Sequence, residues 1–146
     1  RNGRSALNAV DLISETMKSA KHNYLMKLDI DSFFDRIQWP ILKRLLMKKI
    51  SEEDVINLIR QDLQALHLEK GGELIEKHIG IHQGSGISPV ISNIYLMDFD
   101  TWMTSKNIFY IRYSDDILVL GESREQLISL LTEIKARLME YGLEIN

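Results

Sequence analysis

The stretch Ile108–Leu120 reads IFYIRYSDDILVL. Two β-rich runs, Ile108–Tyr113 and Ile117–Leu120, flank Ser114-Asp115-Asp116, and this pattern predicts a β-hairpin whose tip is acidic. The tip lacks the Asn-Gly or Asp-Gly pair that signals the tightest turns. A third strand is predicted upstream at Tyr24–Ile30 (YLMKLDI), which runs into a cluster of acids and aromatics at Asp29, Asp31, Phe33, Phe34 and Asp35. A fold that sets these strands side by side gathers Asp29, Asp115 and Asp116.

The remaining elements are helical. Ala6, Ala9, Val10, Ile13 and Met17 recur at helical spacing over Ala6–Lys18, with Ser5 placed as an N-cap. Pro40 suits a first helical turn, followed by Ile41, Leu42, Leu45 and Leu46. Ser51 is expected to cap the next helix, with Glu52, Glu53 and Asp54 in its first turn and Val55, Ile56, Ile59, Leu63 and Leu66 on its buried face. Gly71-Gly72 is expected to break that helix, and residues 73–81 to form a short strand or hairpin. One long helix is predicted from Pro89 to Met103. A last helix opens on the capping box Ser123/Gln126, buries Leu127, Leu130, Leu131, Ile134 and Leu138, and ends at Gly142. Strands that do not alternate regularly with helices favour an antiparallel α+β domain over a doubly wound parallel sheet.

Composition narrows the function classes. The chain has 146 residues, 45% apolar and 27% charged, which suits one domain with its own core and excludes a disordered chain. The absence of cysteine removes disulfide frameworks, cysteine zinc sites and cysteine nucleophiles. His22, His67, His78 and His82 show no metal-ligand spacing. No run approaches the ~18 apolar residues of a membrane span and the start lacks a signal-peptide core, so a cytoplasmic chain is expected. A formal charge of −3 is the wrong sign for a nucleic-acid binder that works alone through phosphate contacts.

Three gathered carboxylates repel one another. Two like charges about 4 Å apart cost on the order of 4 kcal/mol at an effective dielectric of 20, so a divalent cation or proton uptake must offset them. Hard carboxylate oxygens select Mg²⁺, with Mn²⁺ as the alternative, and two such ions match the two-metal logic of nucleotidyl transfer. An Asp-Asp pair in a turn is, taken alone, more often a solvated turn.

Three blocks in order carry a resemblance. LDIDSFFDRI, HQGSGISPVISNIYL and YIRYSDDILVL resemble palm motifs A, B and C of reverse transcriptases, closest to the bacterial group II intron and retron types. RSALNAV is similar to the segment before motif A, and LMEYGLEIN to the start of motif D. The resemblance implies a polymerase palm, an antiparallel sheet with helices packed on one face and partial fingers elements. It implies that Asp29, Asp115 and Asp116 hold the metal ions, with the Ile30 carbonyl as a further ligand. Phe34 falls at the steric-gate position that excludes a ribose 2′-OH, Gln83 and Gly84 shape the nucleotide pocket, and Tyr113 lies beside the primer terminus. For an isolated Phe34 a core aromatic is the commoner role, for Gln83-Gly84 a turn, and for Tyr113 a strand aromatic. Ser88, Pro89 and Asn93 serve the helix that follows the second block, and Arg4 and Arg112 are read as solvated. His82 stands where the family often has proline, and Ser114 where alanine is common.

The expected activity is RNA-directed DNA polymerisation, with an RNA template, a DNA or RNA primer and dNTPs as partners. Residues 1–146 are expected to be the palm of a longer protein, lacking N-terminal fingers and a C-terminal thumb and inactive alone; basic residues in those segments would explain the acidic palm. Two rivals stand beside this reading. One is a catalytically silent reverse-transcriptase-like module acting by binding or assembly, as in phage defence; the other is an RNA-dependent RNA polymerase or nucleotide cyclase, against which Phe34 and the R-Y-x-D-D block speak.

Overall fold

Residues 23–65, 67–68, 74–75, 78–82 and 84–146 are described by the computed structural model of the chain. The expected helix Ala6–Lys18 and the residues Leu66, Gly71, Gly72 and Gln83 lie outside them. The chain divides into two compact units.

The first unit holds the sheet. Strands β1 (Tyr24–Asp29), β4 (Phe109–Tyr113) and β5 (Asp116–Gly121) form an antiparallel sheet in the order β1-β5-β4. Hydrophobic alternation sets the register: Leu28, Ile117 and Val119 are buried, while Lys27 and Asp29 are exposed. A one-residue slip would move the apolar set to the other face, so this pairing is strongly specified. The expected hairpin forms with a shorter tip than the residue pattern implied. Asp116 belongs to β5, and only Ser114 and Asp115 remain in the turn. Ser114 takes φ 56°, the positive φ that two-residue hairpins need at their first central position.

The terminal helix α6 (Arg124–Met139) packs on β5 and β1. Its capping box is made as expected: Ser123 Oγ accepts from the Gln126 N–H at 3.1 Å, and Gln126 Oε1 accepts from the Glu122 N–H at 2.8 Å. Leu127, Leu130, Ile134 and Leu138 are buried, while Leu131 is half-buried.

The second unit is mainly helical, with α1 (Phe33–Arg36), α2 (Trp39–Met47), α3 (Glu53–Gln64) and α4 (Ser88–Tyr95). Pro40 lies in the first turn of α2, whose buried face is Leu42, Leu45 and Leu46. Helix α3 starts one residue later than expected, because its first intrahelical acceptor is the Glu52 carbonyl and Ser51 makes no cap. Ile59 and Leu63 are buried as expected, whereas Val55 is exposed. The small ladder of this unit pairs β2 (His67–Leu68) with β3 (Leu74–Ile75), so the hairpin begins before residue 73, and residues 78–81 are not strand.

The single helix expected from Pro89 to Met103 is two, α4 and α5 (Met97–Ser105), separated at Leu96 with φ −96° and ψ 9°. The pattern conceals the break because the buried residues Ile91, Ser92, Tyr95, Leu96, Phe99, Asp100 and Met103 keep helical spacing straight through it.

Tyr95 ties three segments of the second unit together. Its hydroxyl accepts from the Gln38 N–H at 3.1 Å and donates to the Tyr141 carbonyl at 2.7 Å. Burial pushes the phenol's pKa up, so it stays a donor at neutral pH. Tyr95→Phe removes the partner of both backbone groups and is expected to cost about 1–3 kcal/mol in denaturant unfolding. A change below a few tenths of a kcal/mol would contradict that role for the hydroxyl.

Candidate active site

Strand pairing alone brings most of the acidic residues to one place. Asp29 ends β1, Asp116 begins β5 and Tyr113 ends β4, and the register makes Asp29 the direct partner of Asp116 and Asp116 the direct partner of Tyr113. Directly opposed residues share a face with Cβ atoms ~4.5–5.5 Å apart, so the three side chains form one row at one end of the sheet. Asp115 adjoins that row in the turn. Tyr113 is 68% exposed, which removes the reading of a packed strand aromatic and leaves its ring open to solvent.

The backbone beneath the row is pinned. The Ile30 N–H donates to the Asp115 carbonyl at 3.2 Å. The Asp31 N–H donates to Glu144 O at 2.9 Å and the Asn146 N–H to Asp29 O at 3.1 Å, forming the bridge between Ile30 and Ile145. Ile30 itself is buried at 1% exposure and anchors the end of β1.

Positive and polar groups answer the carboxylates. Lys27 lies two residues before Asp29 on the same face, and its Nζ is 3.0 Å from Asp116 Oδ1. That hydrogen bond, then the Asp116 charge, raises the lysine's pKa. Asn146 Nδ2 donates to Asp29 Oδ2 at 3.0 Å.

The donor set suits a hard divalent cation. Among the described residues no group of three or more acidic or histidine side chains is placed so as to hold a metal ion by itself. Two opposed carboxylates with a third in the adjoining turn are nonetheless what Mg²⁺ asks of a protein, because it keeps several waters and takes one or two carboxylates plus substrate phosphates.

Of the other expected site residues, Phe34 and Gly84 belong to the second unit. Of the two neighbouring rings on α1, Phe33 is buried at 1% exposure and Phe34 is half-buried, with centroids 5.2 Å apart. The Phe34 carbonyl accepts from the Ile81 N–H at 2.8 Å. Gly84 is exposed, with open space where a Cβ would stand, and Gln83 lies outside the described residues. Ser88 starts α4, and its hydroxyl donates to the His82 carbonyl.

One group of residues was misread from sequence. Arg112, expected to be solvated, forms a buried bidentate ion pair with Asp100 of α5 through Nε at 2.8 Å and Nη2 at 2.6 Å. The Tyr110 hydroxyl also donates to Asp100 Oδ1, at 2.6 Å. Burial, then the Asp100 charge and hydrogen bond, pushes this phenol's pKa far up and keeps it protonated. The available signal was Asp100 itself, a carboxylate in phase with Phe99 and Met103 on a buried stripe, since a buried charge requires a partner.

The sequence profile of the family described as reverse transcriptase (RNA-dependent DNA polymerase) matches residues 1–146. The chain is 31% identical over 125 residues to the retron Ec83 reverse transcriptase of Escherichia coli, covering 81% of this chain and 38% of that protein. It is 29% identical over 147 residues to the retrovirus-related Pol polyprotein from type-1 retrotransposable element R2 of Nasonia vitripennis, covering 92% and 14%. It spans between 10% and 47% of the length of other curated relatives it matches. Its fold is similar to that of apo telomerase from Candida tropicalis, with a TM-score of 0.71 at 19% identity over 98% of this chain and 34% of that one. With the carboxylate row, the antiparallel α+β fold and a match along its whole length, the chain belongs to the reverse transcriptase family.

Proposed function

We propose that the chain is the nucleotidyl-transfer palm of an RNA-directed DNA polymerase, extending a primer 3′-OH with dNTPs on an RNA template. The observation that carries this reading is the register that sets Asp29 opposite Asp116, with Asp115 in the adjoining turn. Asp29, Asp115 and Asp116 would hold Mg²⁺ or Mn²⁺, with the Ile30 carbonyl as a further ligand. When bound, the metal supplies positive charge that favours an ionised primer hydroxyl and offsets charge on the departing pyrophosphate.

The chain's own residues supply position. The three carboxylates are fixed through backbone pinned by Ile30, Glu144 and Asn146, so little reorganisation remains at the moment of reaction. Tyr113, open to solvent beside Asp116, offers a ring against which a primer terminus packs. The resemblance of the first and second blocks supports Phe34 as the residue that gates the sugar and Gln83 and Gly84 as those that serve the nucleotide pocket.

Primer extension by the protein as encoded, over its whole length, tests the reading on an RNA template with dNTPs or NTPs and Mg²⁺ or Mn²⁺. DNA synthesis that requires the metal supports it. Exclusive use of NTPs would reassign the chain to RNA synthesis, and a folded protein that binds RNA without synthesis would make it a binding module.

The two rings of α1 separate gate from core. Phe34→Ala is expected to raise ribonucleotide use relative to deoxyribonucleotide use on the order of tenfold or more, at a small cost in stability. Phe33→Ala, which empties a buried site, is expected to cost about 3–5 kcal/mol and leave the sugar preference of the folded fraction unchanged. The same sugar preference in Phe34→Ala as in wild type would remove Phe34 from the gate.

A further inference from the structure

We infer that the buried Arg112–Asp100 pair is a positioning device for Asp115, acting through the backbone of the hairpin turn. The inference rests on Asp115 being a metal ligand as proposed above. Asp100 holds the guanidinium by two of its nitrogens, and the third, Nη1, donates to the Ser114 carbonyl at 2.8 Å. That carbonyl belongs to the peptide plane before the Asp115 Cα. The plane after it carries the Asp115 carbonyl, which accepts from the Ile30 N–H. Both planes flanking Asp115 are therefore held from outside the turn, which sets its φ and ψ and so the direction of its Cα–Cβ bond.

Three features make this more than a packing contact. Ser114 holds φ 56°, a left-handed conformation unfavourable for a residue with a Cβ, and such a conformation persists where surrounding bonds over-determine it. Arg112 lies directly opposite Ile117 and Tyr110 opposite Val119, both buried, so the network occupies the sheet face away from the Asp29–Asp116–Tyr113 row. It supports the turn from behind and leaves the acidic face clear. A buried ion pair is also a poor way to gain stability, since apolar residues of similar volume often serve as well or better. A planar fork that binds a carboxylate with one edge and a carbonyl with its remaining nitrogen does what no apolar residue can.

The test uses the protein as encoded and two variants. Arg112→Lys keeps the charge and loses the fork; the triple variant Asp100→Leu/Tyr110→Phe/Arg112→Met replaces the network with apolar side chains. Circular dichroism and melting establish folding, Mn²⁺ binding is read by electron paramagnetic resonance, and the Mg²⁺ concentration for half-maximal primer extension is measured alongside. Wild type is expected to bind Mn²⁺ and Asp115→Ala to bind it far more weakly. Both network variants are expected to fold, to lose roughly 10–100-fold in Mn²⁺ affinity and to need correspondingly more Mg²⁺. A purely structural role predicts that the folded triple variant binds Mn²⁺ as wild type does, and that result overturns the inference. Failure of both variants to fold would make the network a requirement of the fold and also overturn it. Wild-type protein that binds no Mn²⁺ and extends no primer would instead remove the reading of Asp115 on which the inference stands.

Discussion

Alanine in place of Asp29 or Asp115 is expected to reduce primer extension to roughly a hundredth to a thousandth of the wild-type rate, with the fold intact. Losing a charge-stabilising ligand from a transition state is worth roughly 3–4 kcal/mol, and each 1.36 kcal/mol is tenfold in rate. Stability should barely move. Asp29 is exposed and gives up one side-chain hydrogen bond, from Asn146 Nδ2, while the backbone bond from the Asn146 N–H to its carbonyl remains. Removing one of two opposed carboxylates also relieves their repulsion, which acts in the opposite direction. A net change within about 1 kcal/mol is expected by denaturant unfolding. Single-turnover extension with saturating primer–template separates the chemical step from binding. Asp29→Ala retaining a tenth of wild-type activity would sink the assignment of that carboxylate to the metal.

The second large effect lies in the other unit and concerns stability. Gly80→Ala is expected to destabilise the chain by about 3 kcal/mol or more, enough to lower the melting temperature by roughly 10 °C. Gly80 has φ 82°, where a side chain costs roughly 1–2 kcal/mol. A Cβ there would stand 2.8 Å from the Asp35 carbonyl oxygen and 2.9 Å from the Asp35 Cα, both backbone atoms that cannot rotate aside. Nor can the strand of chain around Gly80 withdraw. The Gly80 N–H donates to Ile37 O at 2.8 Å, Trp39 Nε1 donates to the Gly80 carbonyl at 2.8 Å, and the Ile81 N–H donates to Phe34 O at 2.8 Å. Since that last bond holds the Phe34 backbone, the variant's folded fraction should also show weaker sugar selection. A melting temperature within 2 °C of wild type would mean the loop relaxes and the close approach is not required.

The helix at Pro40, the terminal helix and the hairpin were legible because each rests on interactions between residues close in sequence. The Ser123/Gln126 capping box, Pro40 in a first turn and the β-rich runs on either side of Ser114 and Asp115 are local signals, and the structure has them where the residues place them. The helix break at Leu96 was illegible because a buried stripe of constant phase crosses it. Gly80 read as part of a short strand or hairpin, since the atoms that exclude a side chain there lie more than forty residues away.

By itself, then, the sequence determined the class of the fold and the family, and it singled out the acidic residues proposed above as cation ligands, because hydrophobic period, cap chemistry and the three acidic and glycine-bearing blocks are written in neighbouring positions. Tertiary structure alone decided that Asp29 faces Asp116, that Lys27 and Asn146 answer those carboxylates, and that Arg112 is a buried clamp on Asp100 and the Ser114 carbonyl. An arginine's role depends on whether its charge meets water or a buried carboxylate, and only the pairing of distant strands and helices settles which it meets.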